Sequence, residues 1–329
     1  MLSSRLKSAA LGQLSRRMCT SVGTSGYQMV NGANIFYRAN GSAGLPILCM
    51  PGAMGTADTD FAPQLRDLAD TMQVVSYDPR GYGKSQPPER TFPLDFYQRD
   101  ADDAAALMAA LGHEKYAVMG WSDGAISAVM LAATNLPKVD RLVIFGGNAY
   151  LTQDDIEAFE ATRDVEGTWS QRMKDTRARA QHLPYSTLAS LLWPLLAPPT
   201  ISGPGPRQSP PQLTLRRYSR ADYPVYGAEG LQRLWGAAVD AWAGIYAAND
   251  GDVCMQKAKS ITCPTMILHG AKDPICLKEH PEWFQANIPG DGSTSLHILP
   301  DGKHNLHLRF ADEVNALVRE FASKSALAK

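Results

Sequence analysis

The stretch Val118-Met119-Gly120-Trp121-Ser122-Asp123-Gly124-Ala125-Ile126 decides how this chain is read. It carries the pattern G-x-S-x-G, in which a serine is held on a tight turn between a strand and a helix. The apolar run KYAVM at 115–119 supplies the strand and the segment after Ser122 the helix. Gly120 and Gly124 are expected to be required, because a side chain at either would crowd the strained backbone that lifts the hydroxyl outward. The residue after the serine is Asp123, a carboxylate where hydrolysis builds negative charge on a nearby oxygen.

Outward from this turn, short runs with apolar centres recur: LPILCM (45–50), MQVVSY (72–77), RLVIFG (141–146), TMILHG (265–270) and SLHILP (295–300). Continuous apolar strands of this kind are buried on both faces. Between them lie helical patterns at 61–71, 96–112, 277–288 and 307–324. The alternation predicts an α/β fold with a mostly parallel central sheet and helices on both faces. Ahead of it, YQMV-NG-ANIFYR (27–38) reads as a hairpin around Asn31-Gly32. The alternation is broken over 148–262, where helical stretches but no strong strand run appear, as in a lid inserted over an active site. The core is thus expected over 23–147 and 263–325, with an exposed or disordered proline- and glycine-rich loop at 193–212 inside the insertion.

A serine hydroxyl needs a base to take its proton and an acid to orient the base. Asp273 in HGAKDP follows the strand TMIL, and His304 in PDGKHN follows SLHIL. Their order and context make Ser122, Asp273 and His304 a candidate triad; alone, Asp273 would read as a turn residue before proline and His304 as a loop histidine. An oxyanion also needs N–H donors. The candidates are the backbones of Asp123 and of Ala53, in the turn PGAMG (51–55) after LPILCM. The segment DPRGYGKS (78–85) is read as structural, since it lacks the first glycine spacing of a phosphate loop.

The chain has 329 residues, 44% of them hydrophobic, and a net charge of −1, so it is long enough for a large packed core and carries no footprint for nucleic acid or an acidic membrane. A small-molecule partner, a monomer and no cofactor are expected. Residues 1–22 hold Arg5, Lys7, Arg16 and Arg17, several serines and no acid. That is the composition of a mitochondrial transit peptide, removed near 17–22, and predicts a location in the matrix. Five scattered cysteines without a C-x-x-C pair suit a reducing compartment and argue against structural zinc. His304 and His307 have helical spacing but no third ligand nearby in sequence, so no metal is expected.

Through GWSDG, PGAMG in place of His-Gly, GNAYLTQDD, HGAKDP and PDGKHNLHLRFADE, the chain resembles the α/β-hydrolases, and among them the biphenyl hydrolase-like (valacyclovir hydrolase) family. The likeness runs over nearly all of 24–325. It implies the α/β-hydrolase fold, Ser122 as nucleophile, Asp273 and His304 as acid and base, and hydrolysis of α-amino acid esters, with Asp123 receiving the substrate ammonium. Two features depart from the family pattern: Ala125 where a second glycine is usual, and the proline-rich lengthening at 180–220.

Electrostatics gives Asp123 two readings. An acid in the first turn of a helix gains about 0.3–1 kcal/mol from the dipole, which accounts for it structurally. Alternatively, an unpaired carboxylate about 5 Å from the oxyanion opposes it by roughly 3 kcal/mol at an effective dielectric near 20, a penalty that a substrate ammonium cancels. Amino acid esters, thioesters or thiolactones would then be favoured. A broad carboxylesterase or thioesterase, a carbon–carbon bond hydrolase of ring-cleavage products, and a binding protein on a dead hydrolase fold are the other readings; the last would be expected to lack a triad residue.

Overall fold

The computed structural model describes residues 23–169 and 226–323. Strands β1 (Thr24–Val30) and β2 (Ala33–Asn40) close around Asn31 and Gly32, at φ 46° and 76°. Positive φ at both turn residues is what a two-residue hairpin requires to match strand twist, hence Asn-Gly. There follow β3 (Ile47–Met50), α1 (Ala62–Asp67), β4 (Val74–Tyr77), α2 (Phe96–Ala110), β5 (Tyr116–Trp121), α3 (Asp123–Thr134) and β6 (Val139–Phe145). Within the insertion lie α4 (Gln153–Ala161) and α5 (Gly227–Asn249). The chain then returns through β7 (Thr265–Gly270), α6 (Glu279–Asn287), β8 (Thr294–Leu299) and α7 (Ala311–Ser323).

The strands form one eight-stranded sheet in the order β1-β2-β4-β3-β5-β6-β7-β8. β1 and β2 run antiparallel, as do β2 and β4, and every other pairing is parallel. This is the α/β-hydrolase fold. Side chains alternate between two cores, as the pleat dictates. Leu48, Met50, Val118, Leu142, Ile144 and Ile267 face α2 and α3, whereas Ile47, Cys49, Met119, Val143, Phe145 and Leu268 face α1 and α7. Helix α7 seals its side with Val314, Val318 and Phe321, spaced at about one helical turn. Each such side chain contributes roughly 1.5–3 kcal/mol by burial.

Two sequence expectations are corrected. The last strand is not buried on both faces: β8 is a sheet edge with Ile298 exposed, so only part of its apolar surface is covered. The helix expected over 307–324 is divided, with a turn at Leu306–Arg309 ending at Phe310 before α7 begins.

The insertion is helical where it is described, and its two ends are tied. Tyr150 bridges to Asp252, and Leu151 N–H donates to the Gly251 carbonyl at 2.8 Å. Helix α4 starts from a capping box in which Thr152 and Asp155 exchange side-chain-to-backbone hydrogen bonds. Phe159 on α4 packs against Trp242 on α5 with ring centroids 4.6 Å apart. The leader at 1–22 and the proline-rich stretch at 193–212 lie outside the described residues. No helix among the described residues is long and apolar enough to cross a membrane.

Candidate active site

The strand order reverses between β3 and β5, and parallel strands place their carboxyl ends along one edge, so the loops after these two strands open a crevice. Ser122 sits there at φ 56°, ψ −127°, between β5 and α3. A backbone so rarely adopted by a side-chain-bearing residue costs of order 1–3 kcal/mol, supplied by the surrounding packing. The two glycines of the motif are sterically forced. A Cβ on Gly120 would stand 2.2 Å from the Gly124 carbonyl oxygen, and one on Gly124 would stand 2.0 Å from that of Met50. Ala125 is accommodated by another glycine: a Cβ on Gly147 would lie 2.7 Å from the Ala125 Cβ.

The three candidate triad residues come together from the ends of β5, β7 and β8. His304 Nε2 lies 3.2 Å from Ser122 Oγ, and its Nδ1 lies 2.9 Å from Asp273 Oδ2. With its proton on Nδ1, His304 donates to Asp273 and accepts from the serine hydroxyl. The other oxygen of Asp273 accepts the N–H groups of Ile275 and Cys276 at 2.9 and 3.1 Å. Burial opposes ionisation of Asp273, but the hydrogen bond and charge of His304 and these two N–H donors outweigh it and hold the carboxyl below its ordinary value. Trp121, next to the nucleophile, donates its indole N–H to the His304 carbonyl at 2.8 Å and so fixes the loop that carries the histidine.

The turn after β3 closes over the serine. Gly52 approaches so near that an added Cβ would be 3.1 Å from Ser122 Cβ. Its N–H is tied to Asp60 Oδ2 at 3.0 Å, and Gly55 N–H closes the turn on the Gly52 carbonyl at 2.9 Å, with Met54 at φ 55°. No hydrogen bond among the described residues uses the N–H of Ala53 or of Asp123. Asp78 buttresses this region from below: its two oxygens accept the N–H groups of Ala57 and Lys84, and burial pushes its pKa up to about 7. Both hydrogen bonds to its carboxylate come from backbone N–H groups, so it joins DPRGYGKS to the segment after β3.

Asp123 opens α3 and is half-buried. The Tyr97 hydroxyl donates to its Oδ1 at 2.9 Å, and Trp242 Nε1 donates to that hydroxyl oxygen, also at 2.9 Å. Desolvation dominates its ionisation and lifts the pKa to about 6, against the opposing pull of Tyr97, Arg90 and His304. Asp123 forms no salt bridge among the described residues; Arg90 is committed to Asp100 through two hydrogen bonds of 2.7 and 2.6 Å. Tyr97 and Trp242 went unread in the sequence because no motif marks them; an aromatic in the first turn of α2 and another in the insertion look like core residues.

His307 Nε2 pairs with the Asp60 carbonyl at 2.8 Å, and its ring packs among Trp121, Phe145 and Phe61. No group of three or more potential metal ligands occurs among the described residues. Cys49, Cys254, Cys263 and Cys276 are free and buried, and burial pushes each thiol's pKa up, away from a reactive thiolate.

Comparison with known proteins agrees with this fold. The α/β hydrolase fold family matches residues 46–311. Serine hydrolase BPHL from Homo sapiens is 36% identical over 303 residues, covering 92% of this chain and 87% of the human protein. Its counterpart from Mus musculus is 36% identical over 299 residues, covering 91% and 86%. Among solved structures, an enol-lactonase from Burkholderia xenovorans LB400 superposes with a TM-score of 0.63 at 18% identity, covering 91% of this chain and 100% of that one. A hydrolase from Pseudomonas aeruginosa PA01 gives 0.61 at 22%, covering 92% and 100%.

Proposed function

The chain belongs to the α/β-hydrolase family and is a hydrolase; from that premise we propose that it is a serine hydrolase cleaving α-amino acid esters through an acyl-enzyme on Ser122. His304 Nε2 takes the Ser122 proton as Oγ attacks the ester carbonyl, and Asp273 holds the imidazole in the tautomer this requires. The carbonyl oxygen becomes an oxyanion facing the N–H groups of Ala53 and Asp123. Collapse expels the alcohol with a proton from His304. A water activated by the same histidine then frees the amino acid and regenerates Ser122. Thioesters and thiolactones fit the same sequence of steps.

One observation carries the amine preference: a carboxylate adjacent to Ser122 with one oxygen held by Tyr97 and no ion pair among the described residues. A protonated α-amine supplies the missing cation and removes the repulsion that Asp123 exerts on the oxyanion. A neutral ester leaves that repulsion in place, and an anionic ring-cleavage product would add to it. The cationic, acid-free leader supports import into the mitochondrial matrix.

The test compares kcat/KM of the full chain for an L-valine ester and its N-acetylated counterpart, with Ser122→Ala as the blank. A preference of tenfold or more for the free amine, absent in the blank, is expected. Equal rates on the two esters would reduce Asp123 to a helix-start residue and the enzyme to a general esterase.

A further inference from the structure

Tyr97 and Trp242 stand in a line that ends on the carboxylate beside the nucleophile, and the chemistry of the donors fixes which way that line runs. An indole N–H can only donate, so the Tyr97 oxygen accepts from Trp242 and its single proton is directed at Asp123 Oδ1. Both aromatic residues are buried, Tyr97 at 3% and Trp242 at 4% exposure, so water does not compete for either bond. The two come from different parts of the fold. Tyr97 lies in the first turn of the core helix α2, and Trp242 on the face of α5 that also buries Ala238, Ala241 and Ile245.

We propose that Tyr97 and Trp242 are positioning residues for substrate selection: they fix Oδ1 of Asp123, keep its carboxylate charged, and leave Oδ2 to receive a substrate ammonium. The proposal rests on the amine-reading role of Asp123 given above. A carboxylate in a desolvated setting has two ways to lose its charge or its aim, by taking up a proton or by rotating toward another partner. A hydroxyl donating to one oxygen opposes both, because the bond is strongest to the ionised, correctly turned group. Trp242 strengthens the effect, since a phenol that accepts a hydrogen bond becomes a better donor. It also makes selection depend on the seating of α5, which packs through Trp242 against Phe159 of α4.

The other groups that act on Asp123 are accounted for. Arg90 lowers and Asp100 raises its pKa, but they form one ion pair with each other. Tyr82 lies within the field of both Arg90 and Asp123 and, being buried, stays a neutral phenol, its pKa pushed up to about 12. His304 also faces Asp123, but as the base it serves every ester alike, so its part cancels in a ratio of two substrates.

The experiment follows the ratio of kcat/KM for the L-valine ester over its N-acetylated counterpart in the full chain from about pH 5 to 7, where the valyl amine stays protonated. In the wild type the ratio should rise with a midpoint near the Asp123 pKa of about 6. In Tyr97→Phe the midpoint should move up by about one pH unit, so that the ratio falls roughly fivefold at pH 6 but only about twofold at pH 7. Trp242→Phe keeps a ring against Phe159 and Trp235 and should move the midpoint the same way by less. The double variant should match Tyr97→Phe alone, since Trp242 acts through the phenol. An unmoved midpoint in both variants, or equal losses on both esters at every pH, overturns the proposal while leaving amine selection intact. A wild-type ratio of one at every pH overturns both.

Discussion

Replacing Asp123 by asparagine should stabilise the protein at neutral pH while removing its preference for amines. The carboxyl has a pKa of about 6 in the folded chain against an ordinary 3.8. A group whose folded pKa is raised makes ionisation cost stability: below 3.8 both states are protonated, between 3.8 and 6 the unfolded chain alone releases the proton, and above 6 the cost is constant. At about 1.36 kcal/mol per pH unit, the interval from pH 4.5 to 6 amounts to about 2 kcal/mol. Asparagine keeps the shape and an acceptor for Tyr97 but does not titrate. The assay is urea unfolding of wild type and Asp123→Asn at pH 4.5, 5.5, 6.5 and 7.5. The variant should gain on the wild type across the series and level off above pH 6.5. A stability difference independent of pH, or one favouring the wild type as pH rises, would refute the account of Asp123 as a desolvated charge.

Two further outcomes follow from the geometry. Asp273→Asn preserves shape but no longer holds His304 in the required tautomer, so kcat should fall by about 10⁴ with KM little changed in ester kinetics. Gly147→Ala forces two methyl carbons to 2.7 Å and should lower the melting temperature by several degrees; adding Ala125→Gly to the same chain should restore most of that loss in a thermal scan.

The features readable from the chain were those written in local chemistry. Asn31-Gly32 announced its hairpin because few other residue pairs tolerate two positive φ angles, and the apolar runs announced β3 to β7 because each is covered on both faces. Ser122, Asp273 and His304 were legible because each follows a strand, where a parallel sheet exposes its loops. Edge position was not legible: β8 reads like its neighbours, and only the sheet order leaves Ile298 uncovered. Nor were the contacts across long sequence separations. Tyr97 reaches Asp123 across 26 positions and Trp242 reaches Tyr97 across 145. Gly147, read only as the first residue of the GNAYLTQDD segment, turned out to be the space that Ala125 occupies. Each of these depends on how helices seat on the sheet, which no periodicity encodes.

The pairing of Tyr150 with Asp252 gives the insertion a stem. Because both feet are fixed at one point of the core, everything between them is a closed loop, and the entropy of closing a loop grows only with the logarithm of its length: doubling it costs about 0.6 kcal/mol. The chain between these two residues can therefore change length at little cost, while exchanging it would also replace Trp242 and its bond to Tyr97. Chemistry and substrate choice are then heritable separately, and a graft at this stem is where one hydrolase could be given another's selectivity.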